Sequence, residues 1–312
     1  MSRLALGAVA IVLLVSCAGY LAFRGLFEQP PPAREVRRPP AEEPVVVLPE
    51  KAQLEAVVMA VEGRVEKQGA TGEWRAVAVG DRLKADEQLR TDATGRAELS
   101  VGNGSLLTVA GSTELKVREL TPVVHQLQLK RGRLAASYDA DGQRVLQIED
   151  ENGKTVAVTR GAKFSILASG QAIAVATETG VVILKAADAE VEVGPGQQAH
   201  SYQGGAPSPV TPIRADVLLK IARSGKVDRG LCAHVVGTVE VGAEVRLDGE
   251  PLAVDRSGGF SARVPRAPGR DSVRVAVRDA RGRPRETVVA CLAPGADPSL
   301  KLDLRWGAEG PE

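Results

Sequence analysis

A chain of 312 residues exceeds one typical domain of roughly 100–200 residues, so two folded units are expected. The formal net charge of +1 excludes the strong basic footprint that nucleic-acid binding needs, and 3% aromatic content leaves few platforms for stacking bases or sugars. The cores must be aliphatic, and Val-rich runs broken by Gly, Asn-Gly and Asp-Gly predict an all-β chain.

Leu4 to Phe23 carries no charged residue and lies between Arg3 and Arg24. That length matches the ~20 apolar residues needed to cross a ~30 Å hydrocarbon core. Residues 1–27 are therefore predicted to be a membrane anchor, one N-terminal transmembrane helix. Leu14-Val15-Ser16-Cys17 gives a second reading, because it resembles a bacterial lipobox in which the cysteine accepts lipid after cleavage. Cys17 is then the lipidation candidate, although Ala18–Phe23 stays apolar past it. The expected location is the bacterial inner membrane, single-pass with periplasmic domains; the alternative is a periplasm-facing lipoprotein. Arg34, Arg37 and Arg38 follow the segment while only Arg3 precedes it, so charge alone leaves the reverse orientation open. Residues 28–50 read as a Pro-rich linker, a semi-rigid extended spacer carrying Pro30-Pro31-Pro32 and Pro39-Pro40.

Residues 51–203 are the first predicted unit. Its strands are read as Ala56–Val65, Trp74–Val77, Arg96–Val101, Ser105–Val109, Glu114–Glu119, Gln126–Leu129, Arg133–Tyr138, Val145–Glu149, Val156–Thr159, Lys163–Leu167, Ile173–Thr177, Gly180–Lys185 and Val191–Val193. Asn103-Gly104, Asp141-Gly142 and Asn152-Gly153 are turn signals, since a type I′ turn needs positive φ at both positions. Trp74 reads as a core or seam residue, or as the cap of a binding face. His125, after Pro122-Val123-Val124, reads as a turn or surface residue.

Gly80-Asp81-x-Leu83, Leu89-Arg90-Thr91, Gly95-x-Ala97-Glu98-Leu99 and Gly104-Ser105-x-Leu107 resemble the first half of a FecR-type domain. Leu129-x-x-Gly132-Arg133-Leu134, Thr159-x-Gly161-x-x-Phe164, Gly180-Val181-Val182 and Gly194-x-Gly196-Gln197 resemble its second half. The resemblance covers residues 57–203 and implies an elongated, solenoid-like β-domain on the outer side of the inner membrane. In the family's signalling members that domain receives a signal from an outer-membrane transporter and relays it to a sigma factor. Those members carry a sigma-binding domain before the span; only Met1, Ser2 and Arg3 stand there in this sequence, so no direct sigma-factor contact is expected.

Residues 204–226 read as a hinge, Gly204-Gly205-Ala206-Pro207-Ser208-Pro209, followed by a short helix over Ala215–Arg223 with Val217, Leu218, Ile221 and Ala222 at helical spacing. That helix packs between domains or binds a partner. Residues 227–305 are the second unit, with strands Val235–Val241, Ala243–Leu247, Leu252–Asp255, Phe260–Val264, Ser272–Arg278 and Glu286–Cys291 and a turn at Asp248-Gly249. Gly242-Ala243-x-Val245-x-Leu247-Asp248-Gly249, Val254-Asp255-x-x-Gly258-Gly259-Phe260 and Val273-x-Val275-x-Val277-x-Asp279 resemble a bacterial immunoglobulin-like or regulatory-like β-sandwich, with the alternating valines facing its core. Residues 306–312 are an expected disordered tail. Cys232 and Cys291 form the disulfide candidate, favoured in an oxidising compartment; buried free thiols are the other reading. Arginines crowd this unit from Arg256 to Arg285, and period-2 geometry puts Arg274 and Arg278 on one solvent face. That stripe suits anionic headgroups, lipopolysaccharide or wall polymers, or is ordinary solubilising charge.

No catalytic constellation is legible. His125, His200 and His234 have no metal-ligand spacing, and neither a nucleophile elbow nor a phosphate-cradling loop occurs. Asp139-Ala140-Asp141-Gly142 and Glu149-Asp150-Glu151 read as calcium ligands or as solvated acidic turns. The expectation is a protein that is not an enzyme, without cofactor or metal: a binding or scaffold module in the bacterial envelope whose partners are the membrane, envelope proteins or cell-wall and lipopolysaccharide polymers. An accessory receptor in a cell-surface signalling relay is the alternative, and an envelope hydrolase the third class.

Overall fold

A computed structural model of the protein describes residues 54–69, 71–102, 104–139, 144–223 and 230–291. All of them fall in one compact unit, Lys51–Glu312. The expected anchor, Cys17, the Pro-rich linker, residues 140–142 of the acidic turn, Asn103, the C-terminal end of the second unit and the tail lie outside the described residues. No helix among the described residues is long and apolar enough to cross a membrane.

The first body is built from β1 (Ala56–Glu62), β2 (Val65–Gln68), β3 (Trp74–Ala76), β4 (Arg82–Leu83), β5 (Gln88–Thr91), β6 (Arg96–Val101), β7 (Ser105–Val109), β8 (Glu114–Leu120), β9 (Val124–Asp139), β10 (Val145–Glu149), β11 (Thr155–Thr159), β12 (Gly161–Ala168), β13 (Ala172–Gly180), β14 (Val182–Ala186), β15 (Ala189–Val193), β16 (Gln197–Tyr202) and β17 (Thr211–Pro212). Two sheets result. One runs β4-β1-β6-β7-β9-β12-β13-β16-β17. The other runs β3-β2-β5-β8-β9-β10-β11-β14-β15, with β9 and β10 parallel. The chain repeats a device: β5 and β8 pair in the second sheet while β6 and β7 form a hairpin in the first, and β11 to β14 do the same one step along.

β9 belongs to both sheets. Its first half pairs with β8 and β10, its second half with β7 and β12. The sequence pattern predicts two strands here, broken at Lys130-Arg131-Gly132; the structure has one bent strand. Gly132 makes the bend, at φ 89°, where a Cβ would collide with Thr113. Alternation shifts by one residue at Lys130-Arg131, so Leu127 and Leu129 before the bend and Leu134 and Ala136 after it all enter the core between the sheets. The same crossing separates β1 from β2 at Gly63, φ 63°, where one longer strand is predicted.

The second body has β18 (Leu219–Arg223), β19 (Leu231–Val239), β20 (Glu244–Leu247), β21 (Glu250–Leu252), β22 (Gly259–Pro265), β23 (Ser272–Arg278) and β24 (Pro284–Ala290). They form two antiparallel sheets, β18-β19-β22 and β21-β20-β23-β24, around one core that includes Val235, Phe260, Val273, Val275 and Val277. The helix expected over Ala215–Arg223 is corrected to strand β18. Val217 and Leu219 are buried two residues apart, the period of a strand, and Leu219–Arg223 pairs with Val235–Val239.

The two bodies are packed together. β12 and β13 are buried on both faces over Ser165–Ala168 and Ala172–Thr177. Their inner residues serve the first core. Their outer residues Leu167, Ala174 and Ala176 meet Ala280 of the second body, with Ile213 beside them. Small side chains allow a close approach: Gly242 turns at φ 85°, and a Cβ there would lie 2.5 Å from that of Ala174. The connecting segment is held by side chains of the second body. Arg283 donates to the carbonyls of Arg214 (2.8 Å) and Ala215, and Arg285 to that of Val217 (2.8 Å).

Candidate interaction face

β23 alternates as its sequence predicts: Val273, Val275 and Val277 point inward while Arg274 and Arg278 are exposed. Register then assembles the outer face of the sheet. Glu244, Arg278 and Pro284 lie in one row, Pro251, Arg246, Ala276 and Glu286 in the next, and Arg274 faces Val288 in a third. Asp248 joins the third row by donating its backbone N–H to the Arg274 carbonyl at 2.9 Å and accepting the Arg274 N–H on its side-chain Oδ1 at 2.8 Å. It holds that place because Asp248 and Gly249 both have positive φ, 50° and 92°, in the two-residue turn between β20 and β21.

The centre of this face is the small side chain of Ala276, and its larger neighbours leave an open cleft of about 470 Å³. Three arginines and three carboxylates line it: Arg246, Arg274, Arg278, Glu244, Asp248 and Glu286. Arg246 is tied to Glu244 at 2.6 Å, while Arg274 reaches Glu286 only at 3.8 Å. The arginine stripe expected from sequence is thus a face of mixed charge. Sequence reasoning missed the carboxylates because counting charges along one strand does not see its neighbours; the Asp248-Gly249 turn, which sets the register, is the signal that could have found them.

Cys232 and Cys291 are joined in a disulfide with Cα atoms 4.4 Å apart. It ties β19 of one sheet to the end of β24 in the other.

His125 is fully buried, which corrects its reading as a turn or surface residue. It alternates inward with Leu127 and Leu129, and Tyr138, at the far end of the same bent strand, meets it edge-on with its hydroxyl 3.0 Å from Nδ1. Burial, then the charge of Arg144, pushes the imidazole pKa down to about 4; burial pushes Tyr138 up to about 12. Both groups are neutral at ordinary pH. Trp74 lies half-buried on edge strand β3, with the Arg90 guanidinium 4.1 Å from its ring centroid.

The junction of the bodies gathers other titratable groups. Glu240 accepts from Gln198 at 3.3 Å, and burial pushes its carboxyl above the ordinary range; burial pushes His200 down. Asp279, also buried, is clamped by Arg283 at 2.7 Å. His234 is elsewhere, 3.1 Å from the Ser261 hydroxyl, so the three histidines do not converge. Among the described residues no group of three or more His, Cys, Asp or Glu could hold a metal ion. Glu149 is engaged by Arg118 and Gln126, and Asp150 accepts the backbone N–H groups of Lys154 and Thr155, which makes that acidic run a turn.

Comparison with curated proteins finds no match. Two crystal structures of a candidate anti-sigma factor from Parabacteroides distasonis ATCC 8503, at 2.50 Å and 1.65 Å, align with 40% of this chain at 12% and 13% identity and a TM-score of 0.36. The alignment spans 59% of their length, under two thirds, and likeness at that level says nothing of activity or partner. The family model of the FecR protein matches residues 87–183. Strands β5 to β13 lie wholly within those residues, so this part of the chain is similar to a FecR domain.

Proposed function

We propose that this is a non-catalytic FecR-domain protein of the bacterial envelope, tethered to the inner membrane, with its β bodies in the periplasm. In this reading the FecR domain carries an immunoglobulin-like sandwich as its binding module. The cleft around Ala276 takes up an envelope protein or polymer that presents both charges.

The observation that carries the reading is the union of a FecR domain with a second β body whose outer sheet face is open and ringed by charge. The apolar run Leu4–Phe23 and the proline-rich residues after it support a tether with a spacer. The disulfide between Cys232 and Cys291 suits an oxidising compartment.

A photo-crosslinking amino acid at Ala276 of the full-length protein in cells tests the face. A discrete envelope partner is expected there and not with the probe at Arg75, at the other end of the first body. Equal yields at both positions overturn the assignment. The FecR domain also favours a second reading, a receptor in a cell-surface signalling relay. Deletion would then change a narrow set of transcripts, and an unchanged transcriptome removes it.

A further inference from the structure

We propose that the seam between the two bodies holds a phosphate-binding notch formed by Arg96 and Arg133 of the first body and Arg278 of the second. The first body supplies its part by register. Ala97, Val109 and Leu134 form one row across β6, β7 and β9 with their side chains in the core. In the next row, Arg96 and Arg133 project from the opposite, outer face, and buried Ala110, whose N–H donates to the Arg133 carbonyl, lies between them. Two strand spacings put these arginines about 10 Å apart with a small residue between.

The second body closes the notch. The turn between β23 and β24 rests on Arg133, whose Nη1 donates to the Arg281 carbonyl at 3.4 Å. Gly282 lies against the guanidinium so closely that a Cβ there would collide with it. Arg278, at the start of that turn, stands near enough, with Arg96, to repel the Arg133 charge. Burial first, then these two arginines, depresses the Arg133 pKa, against a smaller opposite pull from Asp279 and Glu244.

Glu98 pairs with Arg96 itself at 2.8 Å, so Arg96 enters the notch with its charge partly met; Glu244 is engaged by Arg246 at 2.6 Å and Asp279 by Arg283 at 2.7 Å. Among the described residues no carboxylate lies within ion-pair distance of Arg133 or Arg278. A phosphate group matches what is gathered here. It carries multiple charge, and its oxygens accept guanidinium N–H bonds in pairs. The notch adjoins the Ala276 cleft through Arg278 but does not use Arg274.

The test is a calorimetric titration of the full chain, held in phosphatidylcholine nanodiscs at low ionic strength, with inorganic pyrophosphate. Saturable binding is expected. Arg278→Gln and Arg133→Gln should each weaken it at least tenfold, and Arg274→Gln should leave it unchanged. Arg278 is exposed, so its variant keeps the experiment decisive if Arg133→Gln unseats the turn. Nanodiscs containing phosphatidylglycerol identify the source: weaker apparent pyrophosphate binding there means that lipid headgroups occupy the notch, and unchanged binding means a soluble or polymeric phosphate. No saturable binding in phosphatidylcholine, wild-type affinity in Arg278→Gln, or equal loss in Arg274→Gln overturns the proposal. The crosslinking result at Ala276 is independent of all three.

Discussion

The imidazole of His125 stays neutral down to a pH of about 4 because it is sealed between the sheets beside the Arg144 charge, with its Nδ1 on the Tyr138 hydroxyl. An unfolded chain protonates the same group near pH 6.5. Between those values the unfolded state binds the extra proton, so this group's contribution to stability is full above pH 6.5 and is lost as pH falls toward 4. The shift corresponds to a loss of up to about 3 kcal/mol. Denaturant titrations across pH 4–7 should show that fall, and His125→Gln should flatten it within this window. An unchanged slope in the variant would assign the fall to other groups. Nothing in the local sequence marks His125 as buried: Pro122-Val123-Val124 reads as a turn, and a histidine next to a turn is usually wet. Only the alternation with Leu127 and Leu129, counted backwards from the strand, puts it inside.

At the scale of elements, what was legible followed from local rules. Period-2 alternation gave the inward valines of β23, and Asp248-Gly249 gave its hairpin. What was not legible depended on which sheet a strand joins. Lys130-Arg131-Gly132 separates two predicted strands because two charged residues and a glycine interrupt the apolar alternation, yet here the glycine lets one strand pass from sheet to sheet. Ala215–Arg223 read as a helix because Val217, Leu218, Ile221 and Ala222 also fit a 3.6-residue period, and the pairing with β19 decides otherwise. The bend in β9 makes a prediction. Gly132→Ala places a Cβ against Thr113 at a positive φ, and should cost about 1–3 kcal/mol from backbone strain before any clash is counted. Chemical denaturation would measure it; a neutral substitution would mean that β9 can bend elsewhere. The disulfide acts on elements too, since it ties two sheets at a sequence separation of 59. Replacing both cysteines by serine should cost roughly 2–4 kcal/mol, with the loss confined to the second body.

At the scale of the whole molecule, two β bodies, each with its own core, fall within one compact unit. The reason lies in β12 and β13. Their runs of small apolar residues look like ordinary buried strands, but one face serves the first core while Leu167, Ala174 and Ala176 receive the second body. Arg283 and Arg285 then hold the connecting segment by its carbonyls. The apolar part of this contact is small, mostly alanine against alanine, so a single charge placed in it should open it. Ala174→Glu would place a carboxylate in an apolar contact where Gly242 leaves no space to turn away, and burying an unpaired charge there costs more than so small a contact returns. The wild-type chain is expected to unfold in one calorimetric transition. The variant should show two, one for each body, and become sensitive to protease between Gly204 and Ala215. Each core is complete without the other, so both bodies should keep their secondary structure. A single transition at the wild-type midpoint would mean that the clamp on the connecting segment, and not the alanine contact, holds the bodies together. Loss of the Arg283 and Arg285 side chains, rather than Ala174→Glu, would then split them.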